Sequence, residues 1–261
     1  MLAVIYAVVI LIATTLGAFV GLGGGVIIKP VLDFLGQEPR MQVDFLSCIA
    51  VFTMSVVSTF KAIRNKVELK KNIVIFIAAG SIAGGFLGSY VMDLLENRFA
   101  GINMRCIQAF TLATLIAAVC IYISKQRFSF RIKNPVAMCL VGLSLGFLAS
   151  FLGIGGGPIN VAVLTLFFSM NVKESAVYSV VIIFFSQLSK LITMFSSTGI
   201  EPYSHQWKTL LFILPAAILG GIIGSKFNRK FDDKKIRKVF TAVMLLIVVL
   251  NVYNGINYLN I

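Results

Sequence analysis

Two glycine clusters carry the backbone chemistry that this sequence offers most clearly. One reads Gly-Leu-Gly-Gly-Gly, the other reads Gly-Ile-Gly-Gly-Gly, and each closes a hydrophobic run. Glycine tolerates positive φ and close backbone approach, so each cluster predicts a sharp turn. A helix that starts after such a turn presents free N–H groups and the positive end of its dipole, which suits an anion. The predicted substrate-binding glycines are Gly21, Gly23, Gly24, Gly25, Gly153, Gly155, Gly156 and Gly157.

Four polar side chains close to these turns could complete an anion site. Asn160 follows the second cluster at the predicted start of a helix, and Ser47, Ser179 and Gln187 lie in the apolar runs that come after the turns. Their hydroxyl and amide groups could replace water around an oxyanion. The alternative for these side chains is hydrogen bonding between helices or to the local backbone, and for the glycines it is close helix packing.

Lys29 and Asp33 are ionisable residues that follow the first glycine turn. They are four residues apart, so they share a helix face and are predicted to form a gating or charge pair. A lysine near the end of a segment can instead extend its ammonium to the membrane surface, which is the expectation for Lys190. The cysteines and the single histidine do not have the spacing of metal ligands, and the sequence offers no nucleophile together with a general base. No metal, cofactor or enzymatic activity is therefore predicted.

The elements that position these residues are predicted to be membrane-spanning helices. The chain is 58% apolar and 13% charged, and its mean hydropathy of +0.95 is far above that of a soluble domain. A transmembrane helix needs roughly 20 mainly apolar residues. The sequence is therefore that of an all-α integral membrane protein, with apolar runs at 1–20, 43–62, 72–93, 102–124, 135–152, 175–195, 207–228 and 236–257.

An internal repeat divides the chain into two related parts. The two glycine clusters are 132 residues apart, and a Gly-Gly-x-x-Gly-Ser segment that starts at Gly84 recurs 136 residues later at Gly220. For these second segments we favour a role in helix packing. The sequence predicts two homologous membrane halves, 1–124 and 135–261, joined by a basic cytoplasmic linker at 125–134.

The distribution of basic residues favours a re-entrant hairpin at each glycine cluster. If all eight runs cross the membrane, the loops on the two sides carry eleven and ten basic residues. If each cluster reverses the chain inside the membrane, one side carries seventeen and the other four, which satisfies the positive-inside rule. Each half then has one hairpin and three transmembrane helices, which makes the halves inverted repeats with both termini outside. A plain eight-span bundle is the alternative.

Three features of the repeat are shared with a known family. They are Gly17-x-x-x-Gly21-x-Gly23-Gly24-Gly25 followed by Pro30, the second copy from Gly146 to Pro158, and the paired Gly-Gly-x-x-Gly-Ser segments. Together they resemble the TauE/SafE sulfite exporter family of membrane transporters over essentially the full chain. The resemblance implies a transporter of sulfite, thiosulfate, sulfonates or related organic anions. The second copy departs from the first, because Ala162 stands where Pro30 does.

The sequence therefore predicts a multi-pass secondary transporter of the cell membrane. It would move a small anion by alternating access at a midplane site between the two halves. The net charge of +13 lies in short loops between apolar runs, so lipid and not nucleic acid is the predicted neighbour. The coupling ion, for which a proton is one candidate, and a homo-oligomeric state are left open. An anion channel and a membrane scaffold or assembly factor are the alternative functions.

Overall fold

The computed structural model describes residues 2–36, 39–67, 69–98, 104–125, 128–199 and 201–259. Within these ranges the chain forms helices and no strands. The α-helices are α1 (Leu2–Val20), α2 (Gly25–Leu35), α3 (Arg40–Arg64), α4 (Lys71–Arg98), α5 (Met104–Lys125), α6 (Pro135–Leu152), α7 (Gly157–Phe168), α8 (Val172–Thr198), α9 (Trp207–Lys230) and α10 (Asp233–Leu259). A short 3-10 helix (Glu201–Gln206) precedes α9.

Eight of the described helices are long and apolar enough to cross a membrane, judged by length and composition. They coincide with the eight apolar runs of the sequence, and their ends lie within a few residues of the predicted ones. The prediction of an all-α membrane protein is thereby confirmed. The other two α-helices of the described chain, α2 and α7, have 11 and 12 residues and directly follow the glycine turns.

The two halves of the chain interlock in the bundle. α1 packs along α9 while α6 packs along α4, and the pairs α5 with α10 and α3 with α8 join the halves further. Because α1 corresponds to α6 and α4 to α9 in the repeat, the contacts of one half recur in the other with the partners exchanged. A Cβ on Gly224 would lie 2.7 Å from the Ala18 Cβ, and one on Gly88 would overlap the Phe147 backbone. The helix-packing role predicted for these glycine segments is confirmed.

One end of the bundle collects most of the basic loops. Hydrogen bonds connect these loops, among them those from the Lys70 N–H to the Tyr178 hydroxyl at 2.6 Å, from the Lys173 N–H to Asp233 Oδ1 at 2.8 Å, and from Arg237 to the Ser124 carbonyl at 2.8 Å. We call this the basic end; it carries the described basic residues of 61–71, 125–133, 173 and 226–238. The structure thus gathers the loops that the charge count assigned to one side of the membrane.

α1 and α2 form a hairpin around the first glycine turn. α1 starts and α2 ends at the end of the bundle away from the basic end. Tyr6 near the start of α1, Leu32 near the end of α2 and Tyr203 of the 3-10 helix belong to one buried cluster there. The far end of α1 approaches the basic end, where Asn228 Nδ2 donates to the Phe19 carbonyl at 2.8 Å. α1 has 19 residues and α2 has 11, so α1 is much longer at about 1.5 Å per residue. The glycine turn between them therefore brings the chain from the far end of α1 back to the middle of the bundle.

Candidate functional site

The two glycine turns meet inside the bundle. A Cβ on Gly25 would lie 2.6 Å from the Ile154 carbonyl oxygen, and a Cβ on Gly157 would overlap the Leu22 carbonyl. Glycine is also required by the backbone, because Gly24 and Gly156 have φ values of 76° and 73°. The sharp turns predicted at both clusters are present, and they are in direct contact with each other.

Two helices start where the turns cross. Gly24 is the N-cap of α2 and Gly156 is the N-cap of α7, and neither helix start has a side-chain capping hydrogen bond. Pro158 lies in the first turn of α7, as predicted, where a missing N–H does no harm. The first-turn N–H groups of both helices are therefore left for another acceptor.

Two other helices, α6 and α1, end near the crossing, and side-chain donors bind their last carbonyls. The last carbonyls of α6 accept from Gln108 Nε2 at Phe151, at 2.7 Å, and from Lys29 Nζ at Leu152, at 3.4 Å. The Phe19 carbonyl near the end of α1 accepts from Asn228. Side-chain donors thus offset the negative ends of these two dipoles, whereas the positive ends of α2 and α7 have no side-chain cap. The resulting local field favours an anion at the crossing.

Two buried amides flank the second turn. Asn160 is 1% exposed and Gln187 is 2% exposed. A Cβ on Gly155 would lie 3.1 Å from Gln187 Nε2, and one on Gly156 would lie 3.2 Å from Asn160 Oδ1. Within the described chain these two amide atoms have no hydrogen-bond partner. A buried polar atom without a partner costs about 1 to 3 kcal/mol, so these amides are suited to a bound polar ligand.

The two predicted serines have different roles in the structure. The Ser179 hydroxyl donates to the Gly21 carbonyl at 2.7 Å and also lies 3.4 Å from the Gly157 carbonyl. Its proton is therefore used to hold the turns together, which makes Ser179 a positioning residue. Ser47 is buried in α3, and the described chain shows no hydrogen bond from its hydroxyl to either turn.

The ion pair of Lys29 corrects the pairing expected from the sequence. Asp33 was the predicted partner, but the ammonium of Lys29 lies 2.8 Å from Asp44 Oδ1 on α3 and donates to Gln108 Oε1 at 2.9 Å. The pair is well buried, with side-chain exposures of 6% and 13%. The packing of α2 against α3 determines the partner of Lys29, and the four-residue spacing along α2 does not. At the equivalent positions of the second half stand Val161 and Ala176, so this charge pair belongs to one half alone.

A cavity of about 210 Å³ opens between the crossing and the end of the bundle away from the basic loops. The Lys190 side chain lines it and is 7% exposed, with no hydrogen bond or ion pair among the residues described. Lys190 therefore does not extend to the surface as expected. The hydroxyls of Ser89 and Ser150, which also line the cavity, are buried without a hydrogen-bond partner in the described chain. The sequence did not indicate this cavity because its walls come from four α-helices and the 3-10 helix, which belong to both halves.

A smaller cavity of about 40 Å³ lies at the basic end. At the offsets of the repeat, its residues correspond to those of the large cavity: Ser58 to Lys190, Ser225 to Ser89 and Arg229 to Asp93. Two contacts join α3 to α9 beside it, from Arg229 to Asn65 Oδ1 at 2.7 Å and from Lys61 Nζ to the Ile222 carbonyl at 3.2 Å. The bundle thus has two cavities built from equivalent positions of the two halves, and the one at the basic end is much smaller.

An apolar bundle with eight helices of membrane-spanning length is that of a multi-pass membrane protein, and two helices broken at its centre are typical of secondary transporters. Residues 6–251 match the family described as Sulfite exporter TauE/SafE, and the chain belongs to this family. The family resemblance seen in the glycine motifs is confirmed.

The names of two relatives agree with this class. The chain is 30% identical to the probable membrane transporter protein YunE of Bacillus subtilis, over 97% of this chain and 98% of that protein. It is 25% identical to the probable membrane transporter protein MJ0441 of Methanocaldococcus jannaschii, over 88% and 87% of the two chains. No solved structure matches the chain significantly.

Proposed function

We propose that the protein is a secondary transporter that moves a small oxyanion, such as sulfite, thiosulfate or a sulfonate, across the cell membrane. The observation that carries the proposal is the meeting of two uncapped helix starts at the glycine crossing, beside the unpartnered Gln187 amide. Free N–H groups and positive dipole ends bind anions. The buried basic side chain of Lys190 lines the cavity that leads to this site, together with Asp44 and Asp93.

The two cavities support alternating access as the mechanism. They flank the crossing on opposite sides and are built from equivalent positions of the two halves. In inverted repeats, exchanging the conformations of the halves opens one side while it closes the other. The structure has about 210 Å³ of space on one side of the crossing and about 40 Å³ on the other, so a bound anion would have more room away from the basic end.

Charge supports an orientation with the basic end in the cytoplasm. Short loops rich in lysine and arginine stay on the cytoplasmic side. In that orientation both termini lie outside, each half contributes a re-entrant hairpin, and the large cavity faces the exterior. The small cavity then faces the cytoplasm.

Flux measurements test the function. Labelled sulfite, thiosulfate and a simple sulfonate are offered to proteoliposomes with and without a pH gradient. We expect saturable flux of one of these anions, and a response to the gradient would identify the proton as coupling ion. Flux that does not saturate would indicate a channel. Absence of flux for small anions, together with loss of a protein complex in variants of the glycine turns, would favour a scaffold and contradict the proposal.

Lys190→Gln is expected to lower this flux at least tenfold. The substitution removes the buried cation of the large cavity while keeping the length and polarity of much of the side chain. The matched control is Lys208→Gln, which removes an exposed lysine at the same end of the bundle. Both rates are normalised to folded, inserted protein. Equal rates in the two variants would contradict a role for Lys190 in the anion path.

A pair of cysteine variants tests the orientation. Lys208 at the start of α9 and Ser129 in the basic linker are both exposed and lie at opposite ends of the bundle. We expect Lys208→Cys to react with a membrane-impermeant maleimide added to intact cells, and Ser129→Cys to react only after the membrane is opened. The opposite labelling pattern would place the basic end outside.

A further inference from the structure

A broad groove at the basic end lies outside the predicted anion path. It has a volume of about 690 Å³, and four of its lining residues are basic: Lys70, Lys71, Arg131 and Lys133. The described lining contains no acidic residue. All four basic side chains are exposed, and within the described chain none has a hydrogen bond or ion pair. Four unneutralised cations around one groove create a strong local attraction for a multiply charged anionic group.

The groove is held in shape by backbone contacts. In the linker, the Ile132 N–H donates to the Phe167 carbonyl at 2.9 Å, and the Ser169 hydroxyl donates to the Phe130 carbonyl at 3.0 Å. On the other wall, the Lys70 N–H donates to the Tyr178 hydroxyl. The segment that the sequence suggested was only a basic linker is thus docked on the end of α7. Fixed walls allow the four charges to converge on one ligand.

The surroundings of the groove indicate what kind of ligand it takes. Its walls include the starts of α4 and α6, which are the ends of two candidate membrane spans. Directly along these helices, Ile75, Val136 and Leu140 are 59%, 66% and 59% exposed. Large apolar side chains exposed next to a span end face acyl chains. A ligand that fits both surfaces has an anionic head and a hydrocarbon tail.

We infer that this groove binds the phosphate headgroup of an anionic phospholipid, with its acyl chains along α4 and α6. Lysine and arginine at the membrane interface donate charge-assisted hydrogen bonds to phosphate oxygens. The free N–H groups at the start of α4, around Lys71 and Asn72, lie in the same groove and add to the attraction. The lipid would pin the linker between the halves to the membrane surface.

The test is lipid retention by the purified full-length protein, which does not depend on transport. Phosphatidylglycerol adducts are counted by native mass spectrometry, with phosphatidylcholine as the neutral comparison. The groove variant replaces Lys70, Lys71, Arg131 and Lys133 with Gln. The control variant replaces four exposed lysines at the same end, outside the groove, with Gln: Lys226, Lys230, Lys234 and Lys238. Both variants lose four positive charges.

We expect the groove variant to bind phosphatidylglycerol at least tenfold more weakly than the wild type, and the control variant to stay within threefold. Equal losses in the two variants would show diffuse attraction to the basic end and overturn the site. Displacement of the lipid by millimolar inorganic phosphate would also overturn it, because the groove would then be a site for soluble phosphate. Thermal unfolding of each variant verifies that the protein is folded.

Discussion

Gly157→Ala is expected to abolish anion flux and to destabilise the protein by about 3 kcal/mol or more, at the upper end of the range for overpacked positions. The added methyl group would overlap the backbone of Leu22, so the two glycine turns would have to move apart. Backbone atoms cannot move aside as a flexible side chain can. The helix starts of α2 and α7 would then no longer face a common space, and the anion would lose its donors.

The matched control is Gly36→Ala, at the end of α2. Gly36 has a φ of 62°, so alanine there is conformationally strained, but nothing lies within 4 Å of the added Cβ. Gly36→Ala therefore has the conformational cost of replacing a glycine, but it leaves the contact between the two glycine turns undisturbed. Flux per folded molecule and the unfolding midpoint in detergent are measured for both. Wild-type flux in Gly157→Ala would show that the contact of the turns is not needed for transport.

Asp44→Ala is expected to destabilise the protein by about 3 to 5 kcal/mol, because it leaves the buried Lys29 ammonium without its carboxylate. Lys29→Val removes the other partner and also leaves Gln108 Oε1 and the Leu152 carbonyl without their donor. The double variant reproduces the residues Val161 and Ala176 that the second half has at these positions. Its loss should be smaller than the sum of the single losses, with a coupling of at least about 1 kcal/mol.

The control for this cycle is Glu201, an exposed carboxylate in the 3-10 helix before α9. Glu201→Ala should change the stability by less than about 0.5 kcal/mol, and its coupling to Lys29 should be within error of zero. The free energy of unfolding of each variant is measured in one detergent at one pH. Additive losses for Lys29 and Asp44 would mean that their ion pair does not contribute to the stability.

Features that depend on local sequence were predictable. The apolar runs gave the eight long helices, because a helix in lipid has to satisfy its own backbone hydrogen bonds and needs about 20 apolar residues to cross. The glycine clusters gave the positions of the turns, since φ values near 75° at Gly24 and Gly156 suit glycine and few other residues. The docked 3-10 helix before α9, with Tyr203 stacked on Phe45 at 4.2 Å, had no comparable local signal.

Contacts between distant residues were harder to predict. The spacing of Lys29 and Asp33 predicted a pair on one helix, yet the observed ion pair joins Lys29 to Asp44 on the next helix. Lys190 was expected at the surface, but the packing of both halves places it beside a buried cavity. In both cases the arrangement of neighbouring helices, and not the residues nearby in the sequence, sets the surroundings of the lysine side chain.

The sequence by itself determined the membrane class, the helix positions, the two glycine turns and the family, because each depends on composition or on a motif within a few residues. The tertiary structure alone decided that the turns touch, that Ser179 links them, and that two unequal cavities flank them. The physical reason is that interlocked halves bring together residues more than 100 positions apart, such as Gly21 and Ser179. Such contacts depend on how helices pack and leave no periodic signal along the chain.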